Sequence, residues 1–150
     1  MRYRSVHHPG GASYHAVRSD DAARDAQVLA RLQRMHDDVG ALAHAHPHDP
    51  QLERLRTRLR SVRVYEVNND GPGSSWGKGL HIGMCMRDAR NELQPLPEVH
   101  TVFAHELAHV MSEARGHGPE FHANLARLHA LLPWEWTTDH SPHTMMYSCR

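Results

Sequence analysis

His105-Glu106-Leu107-Ala108-His109, with Gly116-His117-Gly118-Pro119-Glu120-Phe121 a short step downstream, is the part of this 150-residue chain that decides its fold and chemistry. The first block sits among Val99, Val102, Phe103, Leu107, Val110 and Met111. Their helical spacing predicts a largely buried helix over about 96–115. His105 and His109 then face the same way, about 6 Å apart along the axis. Two imidazoles and a carboxylate are costly to bury on an apolar helix unless something satisfies them. A zinc ion does so for the imidazoles and leaves Glu106 to hydrogen-bond the metal's water. The plainer alternative is a pair of hydrogen-bonded core histidines.

Zinc used catalytically takes three protein ligands and keeps one position open. The third cannot lie further along the same helix, because Glu113, on the same stripe, is about 12 Å from His105 along the axis. The chain has to turn back. Gly116 suits the left-handed conformation that ends a helix, and Pro119 suits the first turn of the next one, over about 119–132. His117 falls in the corner between them and is the favoured third ligand. His122 and Glu120, at the start of the second helix, are its rivals. Phe121, Leu125, Leu128 and Leu132 mark that helix's buried face.

Upstream, residues 1–18 show no period and are expected to form a flexible arm. Residues 19–150 then make a single domain whose core spans about 50–132. Ser19-Asp20-Asp21 offers a helix start, and Val28, Leu32, Met35, Val39 and Leu42 continue it to about 45. His46-Pro47-His48-Asp49-Pro50 breaks the pattern. Asp49 can cap a second helix with Pro50 in its first turn, burying Leu52, Leu55 and Leu59. Its outer face carries Arg54, Arg56, Arg58 and Arg60, with Arg63 just beyond. This is either a solvated face, the favoured reading, or a stripe that contacts phosphates. Val62, Val64, Tyr65 and Val67 predict a strand, and residues 68–73 a loop. Leu80, Ile82, Met84 and Met86 alternate with His81, Gly83, Cys85 and Arg87, the pattern of a half-buried strand. Pro133 to Arg150 shows no clear period.

Seventeen Lys+Arg balance seventeen Asp+Glu, and 39% of residues are hydrophobic. Such a neutral chain does not coat DNA by bulk charge, which needs an excess of Lys and Arg. The sixteen His are the compositional oddity. His7, His8, His44, His46, His48, His140 and His143 lie in polar or Pro-flanked segments and read as compositional drift. Cys85 and Cys149 make no CxxC and no disulfide framework. Free thiols in a reducing compartment are the expectation, with one long-range bridge as the alternative. No apolar leader follows Met1-Arg2-Tyr3-Arg4 and no stretch is long enough to span a bilayer. A soluble, intracellular protein without membrane contact is expected.

The two motif blocks resemble those of WLM and SprT-like zinc metallopeptidases, whose third ligand is the His of a Gly-His-x-x-x-Phe corner. That position is His117 here. The strand running into Cys85-Met86-Arg87-Asp88 also resembles WLM proteins, particularly compact ones encoded by large DNA viruses. The likeness covers about residues 62–132; the chain lacks the partner-binding and zinc-finger tails of eukaryotic members. It departs from metzincins, which place Gly and then His soon after the second His, where this chain has Ser112 and Arg115.

The resemblance implies an α+β zincin-like fold, with a small sheet packed on the zinc helix; the helical spacing upstream adds N-terminal helices. It implies one zinc ion per chain and hydrolysis of peptide bonds in a protein or peptide substrate. Proteins crosslinked to DNA are among the substrates of the resembling families. His105, His109 and His117 would hold the metal and Glu106 would act as general base. An extended substrate would pair with residues 80–86, including Leu80, Ile82 and Met84, by strand addition. His143 and Tyr147 are candidates for stabilising the oxyanion. Two other readings compete. One is a DNA-binding module working through its Arg-rich helix around a structural zinc. The other is a non-catalytic, His-rich metal-binding protein.

Overall fold

A computed structural model describes residues 3–8, 14–67, 74–76 and 81–137. It is an α+β fold. Strands β1 (Tyr3–His7) and β2 (Tyr14–Arg18) lead into helices α1 (Ala22–Ala45) and α2 (Pro50–Leu59). Strands β3 (Arg63–Glu66), β4 (Ser74–Trp76) and β5 (His81–Met84) follow, then helices α3 (Leu96–Met111) and α4 (Pro119–Leu131). Among the described residues no helix is long and apolar enough to cross a membrane.

The strands form one sheet in the order β1-β2-β3-β5-β4. β2, β3 and β5 are mutually parallel, while β1 and β4 run antiparallel to their neighbours. A parallel β2–β3 pair needs a crossover, and α1 with α2 supplies it. α1 packs on β2 and α2; α3 packs on α2, α4, β4 and β5.

Local chemistry explains the helix starts. Asp21 caps α1 by accepting from the amides of Ala23 and Arg24 at 3.2 and 3.3 Å. Asp49 caps α2 from Gln51 and Leu52, with Pro50 in the first turn. The stripe Val28, Leu32, Met35 and Val39 is buried as its spacing predicts, together with Leu52, Leu55 and Leu59.

The expected flexible arm is instead the edge of the sheet. β1 and β2 form a hairpin, and β2 places His15 and Val17, both without solvent exposure, on its inner face. The period-2 signal is short and carried partly by a histidine, so it does not stand out against a His-rich sequence.

β5 also differs from expectation. It is buried on both faces, because the side opposite the helices is covered by Tyr65 and Val67. A Cβ at Gly83 would lie 2.7 Å from Val67 Cγ1 and 2.9 Å from Tyr65 Oη, so only glycine fits there. Arg87, assigned by alternation to a polar face, is 1% exposed. Its guanidinium donates to Glu66 Oε2 at 2.5 Å, Glu66 Oε1 at 2.8 Å and Asp25 Oδ1 at 2.8 Å. Burial alone would lower its pKa, yet these bonds hold it above the ordinary arginine value. Cys85 is disulfide-bonded, not a free thiol, since sequence separation does not limit spatial approach in a folded chain. The other cysteine, Cys149, lies outside the described residues. The thiol argument for a reducing compartment therefore falls away.

His8, read from sequence as compositional drift, belongs to a packed trio. Its ring stacks on His36 at 3.8 Å between centroids, and His15 meets both edge-on at 5.6 and 5.4 Å. Both ring nitrogens of His15 and Nδ1 of His36 are buried without a hydrogen-bond partner, while His8 Nε2 meets Asp37 Oδ1 at 2.8 Å. Burial, then the neighbouring His8, pushes His15 down to about 4, with Asp37 opposing. Burial, His8 and His15 push His36 down to about 3, again against Asp37.

Both folded values lie below the ordinary 6.5, so the unfolded chain binds the extra protons. The contribution of His15 and His36 is complete above pH 6.5 and is lost as pH falls toward 4 and 3. For His15 this corresponds to roughly 3 kcal/mol. His15→Leu is expected to make unfolding free energy shallower against pH between 6.5 and 4 by about one proton. Urea titrations at a series of pH values measure it; an unchanged slope contradicts the assignment.

Candidate metal centre

α3 carries His105 and His109 on one face, and the turn after it returns His117 to them. His117 Nε2 lies 3.2 Å from His105 Nε2 and 3.1 Å from His109 Nε2. One ligand nitrogen from each residue falls within 4.8 Å of the other two. Three zinc-bound nitrogens at 2.0–2.1 Å in tetrahedral array are about 3.3 Å apart, so the observed spacing suits one ion at their centre. Without a cation or shared proton between them, lone pairs aimed at one another this closely repel. The donor set therefore fits zinc.

Phe121, itself 2% exposed, forms the floor of this cluster. Its ring centroid is 4.8, 4.5 and 4.7 Å from those of His105, His109 and His117. Burial, reinforced by His109, His117 and His122, pushes the His105 imidazole down to about 4. Burial and then His117 lower His109 too. Both rings are accordingly neutral at physiological pH, the form that binds metal. Glu106, 5% exposed, follows His105 on the same helix.

The rivals for third ligand have other places. Glu120 accepts from the amides of Glu113 and Ala114 at 2.9–3.0 Å, tying down the turn that carries His117. His122 is exposed and meets Phe121 edge-on at 5.4 Å. The helix ends at Met111, earlier than expected, with Gly116 at φ +86° inside the turn rather than at the helix terminus. Ser112 fastens this helix end to α4. Its Oγ donates to Ala108 O at 2.7 Å and accepts from Asn124 Nδ2 of α4 at 3.0 Å.

The arginine face is the largest surprise. Arg54 donates to Met111 O at 2.8 Å and to Glu113 Oε1 at 2.6 Å. Arg58 donates to Val110 O and, at 3.5 Å, to Ser112 O. These two side chains cap the C-terminus of α3, where cations are favoured by the helix dipole. They are therefore not a free solvated face. Their i,i+4 spacing showed that they share a face, but the carbonyls they reach lie more than fifty residues away in sequence.

The strand proposed for substrate pairing is an interior one. β5 is already bonded along one side to β3 and along the other to β4. Ile82 and Met84 have no exposure and do not line a cleft. Leu80, His143 and Tyr147 lie outside the described residues.

No family model, curated protein or solved structure matches this chain.

Proposed function

We propose that the chain is a zinc-dependent endopeptidase of zincin-like architecture. The single observation that carries this is the convergence of His105, His109 and His117 through their Nε2 atoms, with Glu106, the residue after His105 in the chain, outside the three donors. Their similarity to WLM and SprT-like motif blocks supports the same reading. A closed structural site would normally recruit a fourth ligand, often Cys, and among the described residues no other His, Cys, Asp or Glu joins the cluster.

Zinc held there would act as a Lewis acid and bring the pKa of a coordinated water from that of bulk water toward neutrality. Glu106 takes the proton of the attacking water at its carboxylate and returns it to the leaving amine. As neutral donors, imidazoles would leave the ion its full charge. Phe121 walls off the inner side of the cluster, leaving the exposed side, where His117 lies, for substrate. With β5 enclosed, an extended substrate would add to the outer edge at β4. That mode reads backbone and suits broad specificity, including proteins bound or crosslinked to DNA.

The test is cleavage of a denatured protein by the zinc-loaded chain, with and without single-stranded DNA. Zinc-dependent cleavage is expected, and stimulation by DNA would assign DNA-linked substrates. Zinc binding without cleavage under either condition would favour the structural-zinc or metal-sequestering readings. In the same preparation, His117→Ala is expected to lose the single equivalent of tightly held zinc, read by native mass spectrometry. Full retention of that ion would remove His117 from the site.

A further inference from the structure

We propose that Arg54, on α2, is a positioning residue for the metal centre, holding the exposed turn that carries His117 against the end of the helix that carries His109. This deepens the zinc reading and rests on it.

The turn needs such a device. Residues 113–118 are all exposed, so apolar burial does not fix their path. His109 lies in the last turn of α3, with the Ser112 amide donating to its carbonyl at 3.1 Å. His117 lies beyond an exposed run containing a left-handed glycine. Its ring must nevertheless hold a nitrogen close to those of two others.

Polar contacts supply what burial does not. The Glu120 carboxylate grips the amides of Glu113 and Ala114. Arg54 reaches across from α2 and joins both sides of the turn. Nη1 donates to Met111 O at 2.8 Å and lies 3.7 Å from Glu120 Oε2, while Nη2 donates to Glu113 Oε1 at 2.6 Å. One planar guanidinium thus ties the helix end, the start of the turn and the carboxylate that clasps it. A lysine ammonium, a single point charge, cannot span all three with the same fixed fork.

A comparison within the protein separates positioning from general stability. Arg127 of α4 pairs with Asp49, the cap of α2, so it also bridges α2 and α4. Its ion pair is with that cap carboxylate and not with the turn over residues 112–118. Loss of Arg127 therefore serves as the control.

The experiment measures zinc affinity by chelator competition for the parent chain, Arg54→Ala, Arg54→Lys, Glu120→Gln and Arg127→Ala. Visible spectra of the cobalt-substituted proteins are recorded alongside. Arg54→Ala is expected to weaken zinc by about 10–100-fold, the range for residues that orient ligands from behind, and to alter the cobalt bands. Arg54→Lys should recover part of the loss. Glu120→Gln should weaken zinc too and decides the matter if Arg54→Ala does not fold. Arg127→Ala should bind as the parent does. Parental affinity and spectra in both Arg54→Ala and Glu120→Gln would overturn the proposal, as would an equal loss in Arg127→Ala. A parent chain that takes up no zinc overturns the zinc reading itself, and this proposal with it.

Discussion

Glu106→Gln is expected to reduce proteolysis by about 10²–10⁴-fold, the usual contribution of a positioned general base, while zinc content stays at one per chain. The amide is nearly the same size as the carboxylate, so packing around a side chain that is 5% exposed should survive. It cannot accept the proton of the attacking water. Because Glu106 is outside the donor set of His105, His109 and His117, the metal should remain. Initial rates on a denatured protein, with zinc measured in the same sample, check both halves. Parental rates would show that Glu106 is not the base. Loss of zinc together with activity would show that it holds the metal or its ligands instead.

The second large effect lies far from the metal. Arg87→Met is expected to destabilise the fold by about 3–5 kcal/mol, lowering the unfolding midpoint by roughly 6–20 °C. Glu66 is fully buried, and Asp25 nearly so; Arg87 is the cation bonded to both. The two acids already serve backbone amides: Glu66 that of Arg18, Asp25 those of Asp20 and Asp21. Removing the guanidinium leaves two carboxylates stranded where β3, α1 and the end of β5 meet. Urea unfolding at neutral pH measures the cost. A loss below about 1 kcal/mol, typical of an exposed pair, would mean that water reaches the acids.

What could be read from sequence follows a physical division. Helices were legible where a side chain announces its own end, as Asp49-Pro50 and Gly118-Pro119 do. The apolar stripes of α1 and α2 likewise need only local spacing. The His pair at 105 and 109 is a local geometric statement, and it carried over intact. The third histidine of the cluster required the chain to reverse, and Gly116 with Pro119 marked where.

What stayed hidden depends on contacts between distant segments. Arg54 and Arg58 are indistinguishable from a solvated face until α3 is placed beside them. Arg87 looks like the polar side of a half-buried strand until Glu66 and Asp25 arrive from β3 and α1. The stretch from β5 to Arg87 has the alternation of a surface strand because Gly83, Cys85 and the buried Arg87 occupy the alternate positions rather than aliphatic residues. The His8–His15–His36 trio was masked by the abundance of histidine itself, which makes any one of them look incidental.

The most direct measurement is X-ray absorption spectroscopy on the zinc-loaded chain. Three imidazole nitrogens at about 2.0–2.1 Å and one oxygen donor at a similar distance are expected, with one imidazole lost in His117→Ala. Two imidazoles or fewer in the parent, or a sulfur at the metal, would contradict the site as built from His105, His109 and His117.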